Sequence, residues 1–120
     1  MPTINQVMER VDKIKPNVYD ENTKAEWLHR LDGRISREIL KQDPPQKYTY
    51  PEDGDKDLLV PYPYDDIYNY FMQAMIDYSN GEYANYNNAL TMYNEAFSSY
   101  AKLYQRENMP KSAGRFKNLF

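Results

Sequence analysis

The sequence predicts an all-α domain of four helices, with a C-terminal antiparallel helical hairpin and a long proline-rich acidic loop between helices two and three. Three observations carry that prediction. Apolar residues recur at steps of three and four in four separate stretches, the spacing that gathers side chains on one side of a helix. Proline is concentrated between the second and third stretches, at Pro44, Pro45, Pro51, Pro61 and Pro63, where it excludes helix and limits any strand to an edge. Only Asn80-Gly81 separates the last two stretches, and a break so short folds them back on each other.

Thr3 is placed to cap the first helix, whose stripe is Ile4, Val7, Met8, Val11 and Ile14, with Lys15-Pro16 ending it. Asp20 or Asn22 opens the second, which runs to about Lys41 and buries Trp27, Leu28, Leu31, Ile35 and Ile39. Gly33 inside it costs roughly 1 kcal/mol against alanine, which suggests close packing there. Glu26 and Arg30, four apart, support its exposed side. From Gln42 to Pro63 we expect a long ordered loop, with room for a short two-stranded ribbon about the Asp53-Gly54 turn. Ordered loops of that length are uncommon in small domains unless they bind something.

The third helix starts near Asp65 or Asp66, where the helix dipole favours acid, and its expected buried side is Ile67, Tyr70, Phe71, Ala74, Met75 and Tyr78. Asn80-Gly81 provides a left-handed C-cap. The fourth runs from Glu82 to about Arg106, roughly 37 Å at 1.5 Å per residue. Its seam is Tyr83, Tyr86, Leu90, Tyr93, Phe97, Tyr100 and Tyr104, a heptad-like row made mostly of tyrosine, with Ala89, Ala96 and Leu103 widening it. The hairpin break makes pairing with the third helix the simplest use of that seam. Residues 1–108 are thus expected to be a single helical domain, and 109–120 a basic and aromatic tail.

Length and composition set the outer bounds. A chain of 120 residues is one domain that buries about two-thirds of its unfolded surface. The absence of cysteine removes disulfides, zinc-thiolate sites and thiol nucleophiles. The first residues lack the pattern of a signal peptide, and no apolar run approaches ~20 residues, so the expectation is a protein without membrane contact. The net charge of −3 conceals a division: Met1–Lys41 carries +1, Gln42–Asp66 carries −5, Ile67–Arg106 carries −1 and Glu107–Phe120 carries +2. Between Asp57 and Ala101 there is no lysine or arginine at all. Binding nucleic acid through phosphates needs a clustered basic surface, and only the mixed-charge first third or the short tail offers one.

Catalytic patterns are weak. His29 stands among charges with no nucleophile in a recognisable relation to it, so it is read as structural or as surface. Asp65-Asp66 is read as a helix start in preference to an acid-base pair. Asp53-Gly54-Asp55-Lys56-Asp57 fails the calcium-loop template, since its glycine is misplaced and the twelfth position is Tyr64 in place of glutamate. Ten tyrosines between Tyr62 and Tyr104 invite a single-strand stacking platform, but such platforms need an interleaved basic groove. No catalytic residue, metal, cofactor, small-molecule substrate or sequence-specific nucleic acid is therefore expected.

What remains points to contact with other proteins. The outer row of the fourth helix, Asn87, Asn88, Thr91, Asn94 and Ser98, is uncharged, whereas ordinary solvated helix faces carry both signs. With it we place the acidic turn, Glu52, Asp53, Asp55 and Asp57, and the tail residues Arg115, Phe116 and Phe120, as candidate subunit or partner contacts. A frayed terminus is the plain alternative for the tail.

The run Leu58-Leu59-Val60-Pro61-Tyr62-Pro63-Tyr64-Asp65-Asp66-Ile67-Tyr68, with Ala74-Met75-Ile76-Asp77-Tyr78-Ser79-Asn80-Gly81-Glu82, Tyr86-Asn87-Asn88-Ala89 and Trp27-Leu28-His29-Arg30-Leu31-Asp32-Gly33-Arg34-Ile35, resembles small phage and prophage head-tail connector, or adaptor, proteins. The similarity spans most of Ile4 to Tyr104. It implies a non-enzymatic, mostly helical virion component, present in the host cytoplasm during assembly. Such proteins form a ring beneath the portal, bridge head to tail and help retain the genome. It implies self-association and contact with portal or tail proteins, with the acidic loop and tail reaching those neighbours. A lumen-facing acidic loop would let DNA slide, since like charges repel. The alternative is a soluble, non-enzymatic interaction or regulatory module of phage origin that binds a host or phage protein without forming a ring.

Overall fold

A computed structural model describes residues 2–108. Its elements are α1 (Ile4–Ile14), α2 (Glu21–Ile35) continuing into a π-helical turn (Ser36–Leu40), α3 (Asp66–Ser79) and α4 (Tyr83–Glu107), with no strand among the described residues. These residues are mostly helical and span 55 × 34 × 20 Å. The expected tail, with Arg115, Phe116 and Phe120, lies outside the described residues.

The start of α1 is built by capping. Thr3 Oγ1 accepts from Gln6 N while the Gln6 side chain accepts from Thr3 N, a reciprocal capping box. Two further amides of the first turn, which have no partner within a helix, donate to the acidic loop: Ile4 N to Lys56 O at 3.2 Å and Asn5 N to Gly54 O at 2.8 Å. Leu58 N returns a bond to Pro2 O. The ribbon about Asp53-Gly54 is therefore replaced by pairing with the start of α1, including a single bridge between Thr3 and Asp57. Cis peptide bonds precede Pro51 and Pro63.

In α1, Ile4, Val7, Met8 and Val11 are buried, but Ile14 is 57% exposed. The helix has passed the edge of the core by Ile14, and the chain turns at Lys15, whose ammonium pairs with the buried Asp77 carboxylate of α3. Asp20 caps α2, accepting from Thr23 N at 2.7 Å. Trp27, Leu28, Leu31, Ile35 and Ile39 are all buried. Lys24 joins them at 3% exposure because Asp12 of α1 takes its ammonium at 2.9 and 3.1 Å; a buried charge must be paired. Gly33 is not the close approach expected, since a Cβ there would sit 3.7 Å from Pro44 Cβ, ordinary contact.

The central element is α3, which packs on α1, α2 and α4. Its buried side differs from the expected stripe. Tyr68, Met72 and Ile76 are fully buried with Ile67 and Ala74, whereas Tyr70, Phe71 and Met75 are half-buried and Tyr78 is 57% exposed. A helix with neighbours on several sides carries an apolar arc too wide for one stripe. The Phe71 and Tyr78 side meets α4, through Phe71 with Tyr93 and Tyr78 with Tyr86. Asp65 makes no capping bond; its carboxylate faces Arg10 at 3.5 Å.

At the end of α3 the chain reverses through a double hydrogen-bonded cap, Glu82 N to Asp77 O and Gly81 N to Tyr78 O, with Gly81 at φ +77°. Only glycine adopts that φ without steric cost. From there α4 returns along α3, with Tyr93 against Phe71 and Tyr100 against Tyr64. It also meets the end of α2, where Arg34 lies 5.2 Å from the Phe97 ring centroid.

Candidate interaction surface

The α4 seam divides along its length. Tyr93 and Tyr100 are buried, Tyr86, Leu90, Phe97 and Tyr104 are half-buried, and Tyr83 is 61% exposed. Half-burial has a direct cause: α4 packs on α3, the π-helical turn and the Arg34 side chain at the end of α2, and does not touch α1. Rings at the rim of so narrow a contact keep an edge in water. The opposite row, Asn87, Asn88, Thr91, Asn94 and Ser98, is exposed throughout, and Thr91 turns its hydroxyl to its own helix, donating to Asn87 O at 3.0 Å.

Beside that row lies a groove of about 300 Å³ lined by Lys15, Tyr70, Gln73, Asp77, Asn85, Asn88, Ala89 and Met92. Residues 85, 88, 89 and 92 share one side of α4, and residues 70, 73 and 77 one side of α3. The groove adjoins an end of the molecule where two connections meet. The Tyr19 hydroxyl donates to Asn80 Oδ1 at 2.6 Å, and Lys15 pairs with Asp77. Six large apolar residues are exposed among those described, Ile14, Val18, Tyr62, Tyr78, Tyr83 and Met92; Met92 lines the groove, whereas Tyr83, against Tyr78, stands on the opposite side of α4.

The acidic turn is elsewhere. Glu52, Asp55 and Asp57 are exposed, while Asp53 is half-buried with its carboxylate accepting from Thr49 N at 2.8 Å. Asp55 accepts from Asn5 Nδ2 at 3.3 Å. Gly54 is buried because Asn5 crosses it: a Cβ at Gly54 would lie 2.6 Å from Asn5 Nδ2. The turn thus caps α1 and presents its charges to solvent. The candidate residues are not gathered into one site; the acidic turn sits on α1 and the uncharged row on α4.

Sequence patterns missed the polar network that pins the loop. Asp32 of α2 is fully buried and accepts from the Tyr48 hydroxyl at 2.5 Å and the Tyr68 hydroxyl at 2.6 Å. Tyr68 Oη also accepts from Val60 N at 2.8 Å. Burial pushes the Asp32 carboxyl above its ordinary range, opposed by the bonds from Tyr48 and Tyr68. Burial, then the Asp32 charge, drives both phenols far upward, so they stay protonated donors. His29 is half-buried, with Nε2 3.0 Å from Pro45 O and its ring edge-on to Tyr48. The available signal was an aspartate on the apolar side of α2, one position from Leu31.

No family model matches the chain, and no curated protein or solved structure matches it. Among the described residues, no group of three or more His, Cys, Asp or Glu is placed to hold a metal, and no helix is long and apolar enough to cross a membrane.

Proposed function

We propose that the protein is a non-enzymatic structural component of a tailed phage or prophage, assembling as a ring between portal and tail at the head-tail junction. The observation that carries this reading is the surface of α4. Over its first five turns the exposed side chains are Asn, Thr, Ser, Ala, Tyr and Met, with Glu95 the one charge before Lys102. A helix side with no base and a single acid, Glu95, bordered by partly exposed aromatics, has the composition of the covered part of an interface, where charge is depleted and Tyr and Met are enriched. In this reading the α3–α4 hairpin supplies both core and subunit contacts. The acidic turn, fixed to the start of α1, a helix that α4 does not touch, faces the portal, the tail or passing DNA.

The test is electron microscopy and light scattering of the full chain with the portal protein encoded in the same genome. Ring-shaped density on the portal supports the reading. A chain that stays monomeric with portal and never joins virions overturns it in favour of a free interaction module, and flanking genes for capsid, portal and tail would separate those two readings independently.

A further inference from the structure

We propose that α4 pairs with α4 of a second copy, antiparallel, about a two-fold axis that passes between Ser98 and Ser99. The pair is a property of the free chain and does not rest on the head-tail reading.

The side of α4 away from the core supplies the surface. Thr91, Asn94, Glu95, Ser98 and Lys102 are all exposed, and steps of three, four and seven residues place them on one side of the helix. Glu95 is the one charge from Tyr83 to Ala101, and Lys102 follows it two turns later. Neither has an ion-pair partner among the described residues. The side chains about them are amides and hydroxyls. Each of these both donates and accepts, so an identical surface on a second copy satisfies them.

Charge selects the direction and the register. Glu95 is the midpoint of Tyr83–Glu107, so two antiparallel helices in full overlap set Glu95 against Glu95. Parallel helices in register repel twice, at Glu95 and again at Lys102. Sliding the antiparallel pair by two turns moves the axis to between Ser98 and Ser99. Glu95 of each copy then faces Lys102 of the other, and Arg106 faces the neutral Thr91. The shared stretch is Leu90–Glu107, about 27 Å at 1.5 Å per residue, with short serine side chains at its centre.

Exposed ion pairs add little affinity, so these two choose orientation and register. One helix side of that length is a small interface, and the pair is therefore reversible. A self-complementary contact closes at two copies, so it does not itself build a ring. A ring that used the uncharged row of α4 would have to open it.

The chain has no cysteine, which permits a direct test. Full-length Ser98→Cys and Thr91→Cys chains are oxidised separately at the same high concentration. Ser98→Cys joins across the axis, whereas in this register the two positions 91 stand about 22 Å apart along the helices, so the disulfide-dimer yield of Ser98→Cys should be at least about tenfold the higher. In sedimentation equilibrium at low salt, Glu95→Lys and Lys102→Glu should each weaken self-association about tenfold or more, with helical circular dichroism unchanged. An equimolar mixture of those two variants should restore it, since both facing pairs become opposite in charge. Equal yields from the two cysteine chains, association unmoved by either reversal, or a mixture no better than its components each overturns the pair. No portal or virion enters these measurements, so their failure leaves the head-tail reading intact, and a chain that pairs through Ser98 yet is absent from virions removes that reading alone.

Discussion

The Tyr68 hydroxyl donates to Asp32 Oδ1 at 2.6 Å while accepting from Val60 N at 2.8 Å. One phenol thus joins α2, α3 and the long loop. Tyr68→Phe leaves a buried carboxylate with one donor fewer and a buried amide with none. We expect a loss of about 2–4 kcal/mol in urea unfolding, since a bond to a charged group contributes ~1.5–3 kcal/mol and an unsatisfied buried group costs ~1–3 kcal/mol. Tyr62→Phe, at an exposed ring, should change stability by less than about 0.5 kcal/mol. Equal effects of the two would refute the network.

The carboxyls of Asp32 and Asp20 should respond to pH in opposite directions. Burial raises Asp32 above its ordinary 3.8, so the native state holds that proton more tightly than the unfolded state. Its contribution is fully present below pH 3.8 and is lost as pH climbs through the raised native value. The stability of the native protein relative to Asp32→Asn should therefore increase on acidification. Asp20 is lowered by the Thr23 amide bond, so its cap contributes above pH 3.8 and is lost as pH falls through the lowered value. The penalty of Asp20→Ala should shrink in acid, and thermal melts from neutral to acidic pH check both signs.

Two glycines should give contrasting alanine effects. At Gly33 a Cβ meets only Pro44, at 3.7 Å, and the helix-propensity gain of about 1 kcal/mol should appear as added stability. At Gly54 a Cβ meets Asn5 side-chain atoms at 2.6–2.9 Å. Asn5 must swing away and release Asp55, which should cost about 1–3 kcal/mol, as overpacking does. Denaturant midpoints of Gly33→Ala and Gly54→Ala decide this, and a loss at Gly33 would contradict the packing.

Much of the helical core was legible because it obeys a single period. Trp27, Leu28, Leu31, Ile35 and Ile39 face one way, and α2 buries that one side. The stripe on α3 was misread because it adjoins three helices; Tyr68, Met72 and Ile76 lie beside the arc containing Phe71 and Tyr78, and periodicity ranks the arcs without saying which is covered. Three contacts escaped entirely. Asp32 meets Tyr48 and Tyr68 across 16 and 36 residues, Lys24 meets Asp12 across 12, and the caps of α1 come from loop carbonyls, which have no side-chain signature. The uncharged row on α4 was visible in sequence because exposed helix faces so seldom lack charge.

That row should separate assembly from folding. Asn87→Lys with Asn94→Lys places two like charges on exposed positions whose side chains make no hydrogen bond among the described residues, so thermal stability should hold within about 0.5 kcal/mol. Incorporation beneath the portal should fall sharply, because unpaired charge at the centre of an interface is costly. A double variant that assembles as well as the parent would move the interface off α4.

The central claim, that the chain is a phage or prophage head-tail component, is tested most directly by the protein composition and electron microscopy of virions purified from the strain that carries its gene. The account predicts the chain in mature particles, as a ring of density between portal and tail. Infectious virions complete at the head-tail junction yet lacking the chain would contradict it.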